Sequence, residues 1–237
     1  MAALSDWRSF WDGEHSIYVN ARHKDVHYRD IAEGIVSYVP GPQARVLDFG
    51  CGEAIHADKV AAVAAEVWLC EAAATVRASM AARFAGNPRI KICSPEELEK
   101  RPDGSLDLIV ANSVVQYLSA AELERLLALW RRLLAPGGAL IAADIIPPDA
   151  GAVADVVSLL RYAARHGFLF AALGGLVRTA VSPYRKLRSQ LGIAQYTEAD
   201  FTQRLRTAGY TVERLKYNLE HNPARMTFRA HIAEGPP

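Results

Sequence analysis

The stretch Val46-Leu47-Asp48-Phe49-Gly50-Cys51-Gly52-Glu53-Ala54 reads as an apolar strand running into a glycine turn and then a helix. Gly50 and Gly52 carry no Cβ, so the backbone there can take positive φ and approach a ligand closely, while the free amides of the following helix face that ligand. Asp48, two residues before the first glycine, selects the ligand's charge: a carboxylate there repels a pyrophosphate and suits a cation. Glu71 falls at the end of the second strand-like run, where a carboxylate can accept from ribose hydroxyls. A second set of reactive residues lies upstream, with His15, Tyr18, His23, His27 and Tyr28 inside fourteen residues. These are candidates for a base that takes a proton from an acceptor. His23 and His27, at i and i+4, also share a helical face as paired metal ligands do. No HExxH or carboxylate constellation accompanies them, and no metal is expected.

The elements that must hold these residues follow from the apolar pattern. Residues 45–49, 66–70, 89–93, 106–111 and 138–144 are short aliphatic runs without strict alternation, as suits parallel strands covered on both faces. Helical stretches at 54–64, 72–84 and 120–134 alternate with them, the arrangement that gives crossover connections. The last is the best marked: Ser119 and Glu122 form a capping box, Leu123, Leu126, Leu127, Trp130 and Leu134 recur at helical spacing, and Pro136-Gly137-Gly138 ends it. Residues 5–40 read as one or two helices that cover an edge or form a lid. Pro147-Pro148 opens an insertion of about fifty residues, longer than ordinary connections and so expected to be functional. A final helix, capped by Thr197 with Asp200 in its first turn, leads to strand-like runs at 211–217 and 225–232, with Asn222-Pro223 turning between them.

The glycine stretch resembles the first motif of the class I S-adenosylmethionine-dependent methyltransferases of small-molecule type, an acid followed by GxGxG, with Ala54 standing at the third glycine. Asn112-Ser113 at the end of the fourth run and Leu133-Leu134-Ala135-Pro136-Gly137-Gly138 resemble later motifs of that family. The resemblance implies an α/β, Rossmann-like, doubly wound and mostly parallel sheet with a C-terminal antiparallel hairpin. One domain spans 1–237: a helical cover (1–42), a cofactor-binding core (43–146), a helical insertion or lid after the fifth strand (147–196), and a closing helix and hairpin (197–237). It also implies S-adenosyl-L-methionine as cofactor, held by Asp48, Phe49, Gly50, Cys51, Gly52 and Glu71. Ser94 or Glu96 would stand near the adenine, and Asn112 and Ser113 would line the site. Methyl transfer by direct in-line displacement to a small, partly hydrophobic acceptor is the implied reaction, with His15, Tyr18, His23 and His27 as candidate catalytic residues. His221, Asn222, Arg225 and Thr227 would complete the acceptor pocket by analogy with the fold. Competing readings are a nicotinamide-dependent oxidoreductase, which Asp48 opposes, and a non-catalytic cofactor-binding protein on the same fold.

The bulk properties narrow the partners. Within 237 residues, 27 basic and 26 acidic side chains leave a net charge of +1, which argues against nucleic acid as a partner. No Asn-Pro-Pro-Tyr type tetrapeptide follows Asn112, which a nucleic-acid methyltransferase would favour. Cys51, Cys70 and Cys93 are an odd set without CxxC spacing, consistent with a cytoplasmic protein and not with a disulfide framework. The N-terminal residues offer no apolar signal core. Residues 153–181 are apolar but interrupted by Arg161, Arg165, His166 and Arg178, so they do not span a membrane. With Arg185, Lys186 and Arg188 beyond them, they suit a hydrophobic acceptor bearing an anionic group, packing onto the sheet, or peripheral contact with a lipid surface.

Overall fold

A computed structural model describes residues 18–180 and 192–233. The first described helix, α1 (Ala21–Tyr38), is capped by Asn20, whose side chain accepts from the His23 amide at 2.8 Å. Strand β1 (Arg45–Phe49) follows, then α2 (Ala57–Val63), β2 (Glu66–Cys70), α3 (Ala74–Phe84), β3 (Ile90–Cys93), a single helical turn α4 (Pro95–Leu98) and β4 (Leu106–Asn112). Beyond a 3-10 turn (Val115–Tyr117) come α5 (Ala120–Leu133), β5 (Leu134–Ile145), α6 (Ala152–His166), α7 (Leu169–Ala180), α8 (Glu198–Thr207), β6 (Tyr210–Leu215) and β7 (Met226–Ile232).

The seven strands form one sheet in the order β3-β2-β1-β4-β5-β7-β6. The first five run parallel, and β7 lies antiparallel to both β5 and β6. Period-two alternation divides the core: Leu47 and Phe49 of β1, Ile109 and Ala111 of β4 and Leu140 and Ala142 of β5 face α5 and α8. Val46, Val110 and Ile141 face the opposite layer, made by α1, α2 and α3. Sandwiched between two helical layers, the strands need no polar face, which is why their sequences read as unbroken aliphatic runs. Helix α5 carries the expected capping box and buries Leu123, Leu127, Trp130 and Leu133. Each of these contributes roughly 1.5–3 kcal/mol of burial, and Trp130→Ala is the single change that would open this layer.

Several boundaries differ from the sequence reading for physical reasons. Helix α2 starts at Ala57 and not at residue 54, because Ala54 sits at φ +41, in the left-handed region. Pro136-Gly137-Gly138 does not precede the fifth strand but bulges from within it: Leu106 pairs with Leu134, and the register resumes at Leu108 with Ala139. The turn α4 was not expected. The insertion packs chiefly onto α1 and not onto the sheet, where Tyr162, Ala163, Phe168 and Ala172 close a third cluster around Val26. Val153 and Phe170 stay exposed, at 77% and 89%. No helix among the described residues is long and apolar enough to cross a membrane. All three cysteines are free and buried.

The strand order reverses between β1 and β4. In open sheets of this kind, ligands bind outside the carboxyl ends of the strands at that reversal.

Candidate active site

A cavity of about 1250 Å³ opens at this position, roofed by α1 and α6. Its floor begins at the β1 turn. Gly50 and Gly52 lie at φ +68 and +56, and a Cβ at either would press to 2.5 Å from Val114 Cγ2 or the Tyr28 hydroxyl respectively. The turn therefore needs glycine on two counts, conformation and space. The Glu71 carboxylate stabilises it from β2, accepting from the Gly52 amide on one oxygen and the Ala73 amide on the other, both at 3.0 Å. Each oxygen keeps a lone pair directed elsewhere, enough to accept from two hydroxyls. Tyr28 reaches down from α1 and accepts from the Glu53 amide at 3.0 Å, so the N-terminal helix is fastened to the glycine turn.

Asp48 lies one residue before the end of β1 and lines the cavity. Burial, then the nearby charge of Glu71, pushes its carboxyl up to about 7, and among the described residues no hydrogen bond offsets either effect. A carboxylate in that setting is a seat for a cationic group. With Glu71 and Glu96 also lining this end, a pyrophosphate would meet three carboxyl groups.

The other end of the cavity is built from α1, α6 and the β6–β7 connection. Glu220 is its hub: Oε1 accepts from Asn112 Nδ2 at 2.9 Å, while Oε2 faces His27 Nδ1 at 3.4 Å and His221 Nδ1 at 3.6 Å. Burial works against ionisation of Glu220, yet His27, His221 and Asn112 together hold its carboxyl well below the ordinary range. Beside it, Asp144 ends β5 in the left-handed conformation and accepts from Ser113 Oγ at 2.8 Å and from Arg225 at 3.0 Å. Ser113 too is left-handed, at φ +56. Two non-glycine residues held in that region at adjacent strand ends mark backbone strain that the surrounding contacts maintain. Arg225 also pairs with Asp155 of α6, and Asn222 Nδ2 donates to Asp155 at 2.7 Å, so the insertion is tied to the last hairpin by partly buried polar contacts. Leu159 of α6 adds apolar surface.

The residues expected from sequence divide accordingly. Asp48, Phe49, Gly50, Cys51, Gly52, Glu71, Glu96, Asn112 and Ser113 all line the cavity. Ser94 does not; it caps α4, accepting from the Glu97 amide in a capping box that its spacing to Glu97 spells out. Of the catalytic candidates, Tyr18 and His27 reach the cavity. His23 does not: its ring stacks on Phe168 at 4.8 Å, and burial followed by the charge of His27 lowers its pKa to about 4, leaving it neutral packing. His27 accordingly groups with Glu220 and His221 and not with His23. His15, Arg185, Lys186 and Arg188 lie outside the described residues. His221, Asn222 and Arg225 line the cavity as expected, whereas Thr227 is fully buried, orienting Asn218. Glu220, Asp144 and Asp155 were missed. Asp144 had a signal, since it ends an apolar strand run as Asp48 does; Glu220 had none.

Residues 47–142 match the family model described as a methyltransferase domain. No curated protein matches by sequence. Among solved structures, a SAM-dependent methyltransferase from Leishmania major superposes with a TM-score of 0.62 at 13% identity, covering 96% of this chain and 81% of the other. The YcgJ protein from Bacillus subtilis gives 0.61 at 12% identity, covering 88% and 100%. A phosphoethanolamine N-methyltransferase from Haemonchus contortus, solved with phosphoethanolamine and S-adenosylhomocysteine, gives 0.52 at 22% identity over 63% of this chain and 34% of the other. At these identities the structural likeness speaks for the fold, and the domain match speaks for residues 47–142. Sheet order and the cavity at its reversal point agree with the fold these structures share, and residues 47–142 are similar to a methyltransferase domain.

Proposed function

We propose that the chain binds S-adenosylmethionine at the Asp48–Glu71 end of the cavity and methylates a small, partly apolar acceptor at the His27–Glu220–His221 end. The observation that carries this reading is a single cavity with two chemically different ends: at one, the Asp48 carboxyl, without a hydrogen bond among the described residues, and the Glu71 carboxylate bound to the glycine turn; at the other, a histidine–glutamate cluster beside Leu159. The cofactor fits the first end. Asp48 suits its cationic groups, the free lone pairs of Glu71 suit its ribose hydroxyls, and Gly50 and Gly52 let it lie against the backbone. When bound, it supplies an electrophilic methyl carbon and leaves as a neutral thioether.

The rest falls to the protein. Helices α1 and α6 lie over the cavity, and the Tyr28–Glu53 bond and the Asp155–Arg225–Asp144 contacts hold them there. The His27–Glu220–His221 cluster lies where an acceptor's hydroxyl or amine would be activated, and Leu159 gives the acceptor an apolar wall. No covalent residue is required, since positioning and activation of the nucleophile suffice for a displacement.

The test is methyl transfer from radiolabelled cofactor to a panel of small hydroxyl, amine and carboxylate acceptors of graded apolar size. A labelled product is expected, with Leu159→Ala shifting preference toward bulkier acceptors at unchanged cofactor affinity. Absence of transfer across the panel, with cofactor bound, would leave a cofactor-binding protein and refute the catalytic reading.

A further inference from the structure

His27 comes from α1, Glu220 and His221 from the β6–β7 connection, and they converge on one point. One ligand atom from each lies within 4.8 Å of the others. His27 Nδ1 and His221 Nδ1 approach the same oxygen, Glu220 Oε2, at 3.4 and 3.6 Å. As charge-assisted hydrogen bonds these are long, since such bonds close to about 2.7–2.9 Å. As edges of a coordination polyhedron they fit, because ligands about 2.1 Å from a tetrahedral ion stand about 3.4 Å apart. We propose that His27, Glu220 and His221 form a divalent transition-metal site whose open position faces the acceptor.

Three further observations support it. Glu220 is oriented from behind, because Asn112 Nδ2 donates to Oε1 at 2.9 Å and leaves Oε2 for the histidines. Both rings are fixed: His221 stacks on Tyr162 with centroids 4.5 Å apart, and His27 is held between Tyr18 and Tyr28 at 5.2 and 5.3 Å. Outer partners of this kind set ligand orientation in metal sites. Glu220 also has, among the described residues, only the two imidazoles against Oε2. Among the described residues, Arg225 is shared by Asp144 and Asp155, and no lysine or arginine pairs with Glu220.

Two imidazoles and one carboxylate are the donor set of zinc and of comparable borderline ions, and three protein ligands with an open fourth position are the pattern of a catalytic site. All three residues line the cavity, so a bound ion would take an acceptor's oxygen as fourth ligand and lower its pKa, favouring the alkoxide or phenolate that attacks. The substrate class this implies is a hydroxylated small molecule able to reach the ion through oxygen. The inference rests on the acceptor end assigned above.

The experiment is titration of chelator-treated full-length protein with Co²⁺, read by the visible absorption of the four-coordinate ion and by calorimetry. Circular dichroism reports folding, and S-adenosylmethionine binding is measured on the same samples. One equivalent is expected to bind with strong visible bands. His221→Ala and Glu220→Gln should abolish those bands while the fold persists, and Asn112→Ala should weaken binding by about 10–100-fold. No saturable binding, or bands that survive both ligand substitutions, would overturn the metal site. Cofactor binding without cobalt binding refutes this inference alone. Cobalt binding without cofactor binding upholds the site and refutes the function proposed for the cavity.

Discussion

Replacing Asp48 with Asn removes a charge and keeps the shape. In the open site the carboxyl titrates at about 7, so about one molecule in a hundred carries the charge at pH 5 and half do at pH 7. If the cofactor's cationic groups bind only the ionised form, affinity rises about 50-fold across that window, equivalent to about 2 kcal/mol. The window lies below the titration of an α-amino group at about 7.7–8.0, so the cofactor's own ionisation does not enter. Calorimetric titration with S-adenosylmethionine at half-unit steps, in two buffers of different ionisation enthalpy, reads both the slope and the proton released. Asp48→Asn should show neither, and at pH 7 should bind about 10–100-fold more weakly, the loss of a hydrogen-bonded charge pair. A flat profile in the native protein, or the same slope in the variant, would refute the assignment of Asp48 as the cationic seat.

The same group makes a prediction about stability. Its folded pKa lies above the ordinary 3.8, so between about pH 4 and pH 7 the native state holds more protons than the unfolded chain and ligand-free stability falls as pH rises. The fall approaches roughly 4 kcal/mol at about 1.4 kcal/mol per pH unit, and urea melts of Asp48→Asn should lack it. Gly52→Ala places a methyl 2.5 Å from the Tyr28 hydroxyl at a left-handed position; it should cost about 1–2 kcal/mol and weaken cofactor binding at least tenfold, measured by thermal melts and calorimetry. Arg225→Met strips the cation from Asp144 and Asp155 and should destabilise by about 3–5 kcal/mol, seen as a lower urea midpoint with unchanged slope.

The parts of this molecule that were legible in sequence are those fixed locally. Strands β1 and β2 begin and end where expected because each is an aliphatic run closed by a turn, and α5 announces itself through Ser119 and Glu122. Asp48 and Glu71 were legible because strand-end position alone places them. His23 and His27 share a helical face, and nothing in their spacing tells which meets Phe168 and which meets Glu220; the packing of α7 decides. Glu220 sits in a connection whose course depends on β7 pairing with β5, a contact more than eighty residues apart in sequence. Tyr28 as the fastener of the glycine turn is equally a product of how α1 docks.

The most direct measurement is calorimetric titration of the purified protein, side by side, with S-adenosylmethionine, S-adenosylhomocysteine and NADH at pH 7.0. The account predicts one site for each of the first two and none for NADH, whose pyrophosphate would meet Asp48, Glu71 and Glu96. Binding of NADH with no response to the other two would contradict it.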